Sequence, residues 1–177
     1  MRNRNVQDPV TLDEINALPA ADFIARFGDV AEHSPWVAEG AANARPFASR
    51  EAMIAAFEKV LAAASPAAQL ALIRAHPDLA GKAAVAGGLT DESRREQAGA
   101  GLASLTPEEF ARFTALNEAY RTRFGFPFVF AVKGATKHQI LAAFDARLAH
   151  GREVEFTTAL KQVMRIVRLR LDDRVEP

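Results

Sequence analysis

Thr106-Pro107-Glu108-Glu109-Phe110-Ala111-Arg112-Phe113 decides the fold class. A threonine hydroxyl able to accept an amide three residues on, a proline at the first helical position and a glutamate that reaches back make a complete helix start. Phe110, Phe113, Leu116 and Tyr120 then recur at helical spacing until Gly125 supplies a stop. The same grammar repeats in both directions. Thr11-Leu12-Asp13-Glu14 is a capping box ahead of Ile15 and Leu18. Thr136-Lys137-His138-Gln139 is another, ahead of Ile140, Leu141, Phe144 and Leu148, with Gly151 as its stop. Ser49 caps an apolar face of Met53, Ile54, Phe57, Val60 and Leu61. Ser65-Pro66 restarts the chain into a helix carrying Leu70 and Ile73, which ends near Ala75 because Pro77 disfavours helical geometry at the residue before it. A last helix is expected from about Glu153 to Leu171.

Only Phe128, Val129, Phe130, Ala131 and Val132 read as strand. No partner strand is evident, and a buried strand without one leaves its backbone groups unsatisfied. The expectation is an extended or distorted segment between two helices, its backbone groups free to meet something. The fold class is therefore all-α: one compact domain over residues 1–177, with about seven to eight helices.

The totals exclude several function classes. A chain of 177 residues builds a core without staples, and the absence of cysteine removes disulfides, thiolate nucleophiles and cysteine metal sites. Its 22 basic residues balance 22 acidic ones, so the basic excess of a nucleic-acid binder is missing. No run of about 18 apolar residues offers a membrane span. The N-terminus has no apolar signal core, and Arg174-Val175-Glu176-Pro177 is no peroxisomal address, so a cytoplasmic location is expected.

Four histidines compete for chemistry: His33, His76, His138 and His150. None pairs with another at helical metal spacing and no bound metal is expected. His138 and His150 read as solvated surface residues, and His33, in a loop before Ser34-Pro35-Trp36, as a structural hydrogen-bonding residue ahead of a catalytic one. His76 ends a short helix before Pro77-Asp78-Leu79-Ala80-Gly81. Imidazole titrates near neutrality and can both give and take a proton, although a helix-end histidine meeting the dipole is the plainer reading of His76 alone. In Asp91-Glu92-Ser93-Arg94-Arg95-Glu96-Gln97, the spacing places Ser93, Glu96 and Gln97 on one helical face. That face is either solvated or, if His76 packs opposite, a binding face. On the last helix Phe156, Leu160, Val163 and Val167 form a stripe with Arg170 in it and Arg165 and Arg168 outside it. An inward arginine needs an acceptor: either an internal carboxylate or a ligand oxygen in a pocket.

Four segments together resemble the 2-oxo-4-hydroxy-4-carboxy-5-ureidoimidazoline (OHCU) decarboxylase family. They are Glu32-His33-Ser34-Pro35-Trp36-Val37-Ala38, His76-Pro77-Asp78-Leu79-Ala80-Gly81, Ser93-Arg94-Arg95-Glu96-Gln97, and Leu116-Asn117-Glu118-Ala119-Tyr120 running into Arg123-Phe124-Gly125-Phe126-Pro127-Phe128. The resemblance covers nearly the whole chain and implies a carboxy-lyase of uric acid (purine) degradation, converting OHCU to (S)-allantoin and carbon dioxide. It implies an all-α fold, no cofactor, a small-molecule substrate and a homodimer. It puts His76 in the general acid/base role with Glu96 as its catalytic companion, and Pro77, Ser93 and Gln97 against the substrate. The backbone of Phe128, Val129, Phe130, Ala131 and Val132 joins them, with Arg170 as the late arginine and Arg168 its fallback. His150 departs from the family, where asparagine is frequent. Two alternatives stand beside this reading: a non-catalytic helical binding module using the 124–130 aromatic segment, and a decarboxylase of a related ureido acid.

Overall fold

The helix starts named above are made by the hydrogen bonds that capping requires. In the computed structural model, which describes residues 8–81 and 89–177, the boxes at Thr11, Thr106 and Thr136 are closed in both directions, and Ser49 Oγ accepts the Ala52 N–H at 3.0 Å. Among the described residues nine helices follow one another, one more than the upper end expected. They are α1 (Leu12–Ala17), α2 (Ala20–Phe27), α3 (Trp36–Ala42), α4 (Arg50–Ala63), α5 (Pro66–Ala75), α6 (Asp91–Gly99), α7 (Pro107–Phe124), α8 (Lys137–Leu148) and α9 (Arg152–Arg174). No strand occurs among them; Val10 and Val175 form an isolated bridge. The all-α class stands. The sequence reading passed over α2 and α3, and a physical reason is visible: both follow a proline (Pro19, Pro35) and neither has a side-chain cap.

The chain divides into two compact units. The first, Met1–Ala75 with Met164–Pro177, holds α1 to α5 and the second half of α9. Its core gathers Phe27, Phe47 and Phe57 around Phe23, at ring separations of 5.0, 6.0 and 6.3 Å. Each such ring is worth roughly 1.5–3 kcal/mol of burial. Helix α3 lies close on α4 because residue 40 is glycine: a Cβ there would come within 2.8 Å of Val60. Two arginines of α9 are buried in this unit, Arg170 beside Glu32 and Arg174 beside Asp29.

The second unit, His76–Val163, holds α6, α7, α8 and the first half of α9. Its core is aromatic: Phe113, Tyr120, Phe124, Phe126, Phe128 and Phe144 are all buried. Two stripes are buried as read at Phe113, Tyr120, Val163, Val167 and Arg170 and depart from the reading elsewhere. On α7 the buried set is Phe113, Asn117, Tyr120 and Phe124, while Leu116 is half-buried and Phe110 is 37% exposed. Asn117 can take the inward place because its amide has a backbone carbonyl to meet. On α9, Glu155 and Ala159 are fully buried where Phe156 and Leu160 are half-buried, because Glu155 finds three partners inside. The segment 127–132 is neither helix, turn nor bend, as the unpaired strand pattern led one to expect.

Candidate functional site

His76 follows directly on α5 and is buried, and the chain behind it is fastened at three successive positions. Arg121 Nε donates to Asp78 Oδ1 at 2.8 Å, Asn117 Nδ2 donates to the Leu79 carbonyl at 2.8 Å, and the Ala80 N–H donates to Gln97 Oε1 at 3.0 Å. A turn closed by the Gly81 N–H on the Asp78 carbonyl carries Ala80 in the left-handed region, φ +51°. Such a backbone persists in alanine only where the surroundings over-determine it, and three side-chain contacts do so here.

Gln97 belongs to α6, whose entry is capped by Thr90 Oγ1 on the Ser93 N–H at 3.2 Å. The helix turns Ser93 and Gln97 inward, leaves Glu96 half-buried, and exposes Arg94 and Arg95. The spacing argument therefore gave the right face, and the second unit carries His76, Pro77, Ser93, Glu96 and Gln97 together. A cavity of about 480 Å³, within the range of small-molecule sites, has Ala80, Leu89, Gln97, Leu102, Leu105 and Phe110 among its walls. His76, Ser93 and Glu96 are not among them.

Two residues of the extended segment are held by side chains. Arg147 NH1 donates to the Val129 carbonyl at 2.7 Å, and the Ala131 N–H donates to Gln162 Oε1 at 2.9 Å. Phe128, Val129, Ala131 and Val132 are buried and Phe130 is half-buried. Behind it lies a closed polar network. Glu155 accepts from Tyr120 Oη at 2.5 Å and Arg147 Nε at 2.6 Å, and its second oxygen stands 2.9 Å from His150 Nδ1. Burial, then the hydrogen bond to Glu155, push the Tyr120 phenol far above its ordinary range, so it remains a donor. His150 is thus more than a solvated histidine: half-buried, it meets a buried carboxylate. His138 is exposed, and His33 is exposed at φ +47°.

Arg170 satisfies the first of its two alternatives within its own unit: it is 3% exposed and lies 3.0 Å from Glu32 Oε2. Arg168 points outward and pairs with Glu51. Among the described residues no cluster of three or more histidine, aspartate or glutamate side chains could hold a metal, and no single helix is long and apolar enough to cross a membrane. Sequence reasoning missed Asn117, Arg121, Arg147 and Glu155. The signal for Asn117 and Glu155 was the one that found Arg170, a polar residue inside an apolar stripe.

The OHCU decarboxylase family model matches residues 16–172. The chain is 45% identical to the 2-oxo-4-hydroxy-4-carboxy-5-ureidoimidazoline decarboxylase of Haloferax volcanii over 165 residues, 93% of this chain and 96% of that one. It is 40% identical to the decarboxylase of the same name from Halalkalicoccus jeotgali, covering 95% and 93% of the two chains. Among solved structures it resembles (S)-allantoin synthase at TM-score 0.77 and 34% identity, covering 95% of this chain and 54% of that one.

Proposed function

The chain belongs to the OHCU decarboxylase family, and on that premise we propose that it decarboxylates OHCU to (S)-allantoin and carbon dioxide without a cofactor. One observation carries the reading for this chain: Gln97 Oε1 accepts the Ala80 N–H and so fastens the loop that follows His76 to the helix that carries Ser93 and Glu96. The family match runs through both units, which supports reading residues 1–177 as one catalytic domain.

The substrate supplies its own electron sink. The C–C bond to the carboxylate breaks, carbon dioxide leaves, and the electron pair passes into the neighbouring ring C=N. The nitrogen takes a proton, and the enol so formed becomes a carbonyl as its neighbouring carbon is protonated. The protein has to orient, exclude water and move a proton. His76 is the acid/base, since a neutral-range imidazole can both receive and return that proton. Glu96 holds the imidazole or a ureido N–H, Ser93, Gln97 and Pro77 fix the rest of the substrate, and delivery from one face gives the (S) product. The backbone of 128–132 binds amide-like edges. Arg170, carried over from the family's late arginine and paired with Glu32 in its own unit, contacts an oxygen that gains charge or a carbonyl remote from the reaction; a tight grip on the departing carboxylate would favour the ground state. A homodimer completes the proposal and is checked by sedimentation.

Circular dichroism of the product tests it, because spontaneous decay of OHCU gives racemic allantoin. The wild-type protein is expected to yield optically active allantoin, and His76→Ala to turn over on the order of 10²-fold or more slowly. Near-wild-type turnover by His76→Ala on freshly generated OHCU would remove His76 from the mechanism. Racemic product from the wild-type chain would remove the activity itself.

A further inference from the structure

The loop behind His76 has its alanine where glycine is the easier residue. Among the described residues Gly101, Gly125 and Gly134 occupy the left-handed backbone region that glycine enters without strain, and Gly81 does not. The residue before it, Ala80, does, at φ +51°. Glycine stands at 81 for room instead. A Cβ there would lie 2.7 Å from the Asp78 Cβ, and the Gly81 N–H closes the turn onto the Asp78 carbonyl at 3.3 Å.

The strained alanine borders a peptide group that is held on both sides. The Leu79 carbonyl and the Ala80 N–H belong to one planar unit and point opposite ways across it. The carbonyl accepts from Asn117 Nδ2 of α7 at 2.8 Å, and the N–H donates to Gln97 Oε1 of α6 at 3.0 Å. A single peptide plane therefore spans from one helix to the other. Its direction depends on the torsions of Ala80, and there the methyl matters. A glycine could drift through the broad positive-φ space, whereas an alanine is confined to the narrow left-handed well. Toward His76 the chain is equally restricted, since Pro77 fixes its own φ and Asp78 is gripped by Arg121.

From this arrangement we propose that Ala80 is a positioning residue for His76: its left-handed alanine backbone holds the 79–80 peptide plane between Asn117 and Gln97 and so fixes the imidazole four residues earlier. The proposal rests on the function proposed above and adds to it a residue with no polar side chain. Ala80 is 3% exposed and acts by restricting the backbone rather than by touching the reacting atoms. It is also a wall of the cavity of about 480 Å³, so an effect through the shape of that cavity has to be told apart. Cavity shape would act on KM, and a loosened imidazole acts on kcat.

Ala80→Gly removes the methyl, and Ala80→Ser keeps a Cβ with the cavity beside it to take the hydroxyl. Steady-state kinetics on freshly generated OHCU are expected to show Ala80→Gly with kcat lowered about tenfold and KM within about twofold of wild type. Ala80→Ser should stay within about threefold in both. The thermal midpoint of Ala80→Gly should lie within about 3 °C of wild type, because relief of strain offsets the greater freedom of glycine in the unfolded chain. A second readout needs no substrate. The Cε1–H resonance of His76, identified by its loss in His76→Asn, should broaden or move in ligand-free Ala80→Gly and keep its place in Ala80→Ser. Wild-type kcat in Ala80→Gly, an unmoved resonance, a loss confined to KM, equal losses in the Gly and Ser variants, or a midpoint that falls beyond that range each overturns the proposal. Racemic product from the wild-type chain strikes the proposed function alone, and the resonance still decides whether Ala80 positions His76.

Discussion

Two non-helical stretches of the second unit, the loop 77–81 and the segment 126–132, are held by side chains from helices, yet they are held to different degrees. The loop is tied from both α6 and α7 at three successive residues, with a further turn bond inside it. The segment is tied by helix side chains at two residues only, Val129 and Ala131. A stretch whose groups are consumed internally serves as a mount, and here it mounts the imidazole that precedes it. A stretch with fewer ties keeps backbone groups available, and in the proposed function this one meets the substrate. Both use polar side chains reaching from helices, so the same sequence signal has two structural outcomes.

The largest effect should come from undoing the support of the segment. Glu155 is fully buried and shares a salt bridge with Arg147. Glu155→Ala leaves a guanidinium at 6% exposure without its carboxylate, and breaking such a buried pair costs about 3–5 kcal/mol. Urea denaturation followed by circular dichroism measures it. A loss under about 1 kcal/mol would mean that water already reaches the pair and that the segment is held by its aromatic packing alone. The loop should answer more mildly to its own buried tie. Asn117→Leu strands the Leu79 carbonyl, a cost of roughly 1–3 kcal/mol, and kcat should fall more than KM rises because the mount of His76 loosens. An unchanged kcat would show that the loop holds its shape without α7.

What the sequence disclosed follows the reach of each kind of signal. Helix starts are local: Thr106, Thr136 and Ser49 meet partners three residues away, and their capping bonds occur as read. The starts of α2 and α3 carry no such partner, and both helices went unread. The polar face of α6 was legible because spacing alone orients it. What fixes that face is not local: Gln97 meets a backbone N–H 17 residues earlier, Asn117 a carbonyl 38 residues earlier, and Arg121 a carboxylate 43 residues earlier. Periodicity can say that Asn117 points inward, but only the folded chain says that Leu79 is what it meets. His150 reads as solvated because its own setting before Gly151 does not show that Glu155, five residues on, turns inward. The family resemblance supplied roles for residues that spacing could only orient.

The smallest effect should come from Arg121, and it separates the two kinds of tie in the loop. The Arg121–Asp78 pair closes at 2.8 Å but in the open, with the side chains 47% and 27% exposed. Exposed pairs are worth about 0–1 kcal/mol, because water solvates both partners when they part and the arginine pays side-chain entropy to stay. Arg121→Gln should therefore lower stability by less than about 1 kcal/mol. Salt provides the sharper reading. Added salt screens an exposed ion pair over about 3 Å at 1 M ionic strength, so the difference between Arg121→Gln and wild type should vanish there. The Asn117→Leu difference, which involves no net charge and a buried carbonyl, should persist. If both differences vanish together, the Asn117 contact is linked to the ion pair and the loop has one tie to α7; if neither does, the arginine acts through its alkyl stem rather than its charge.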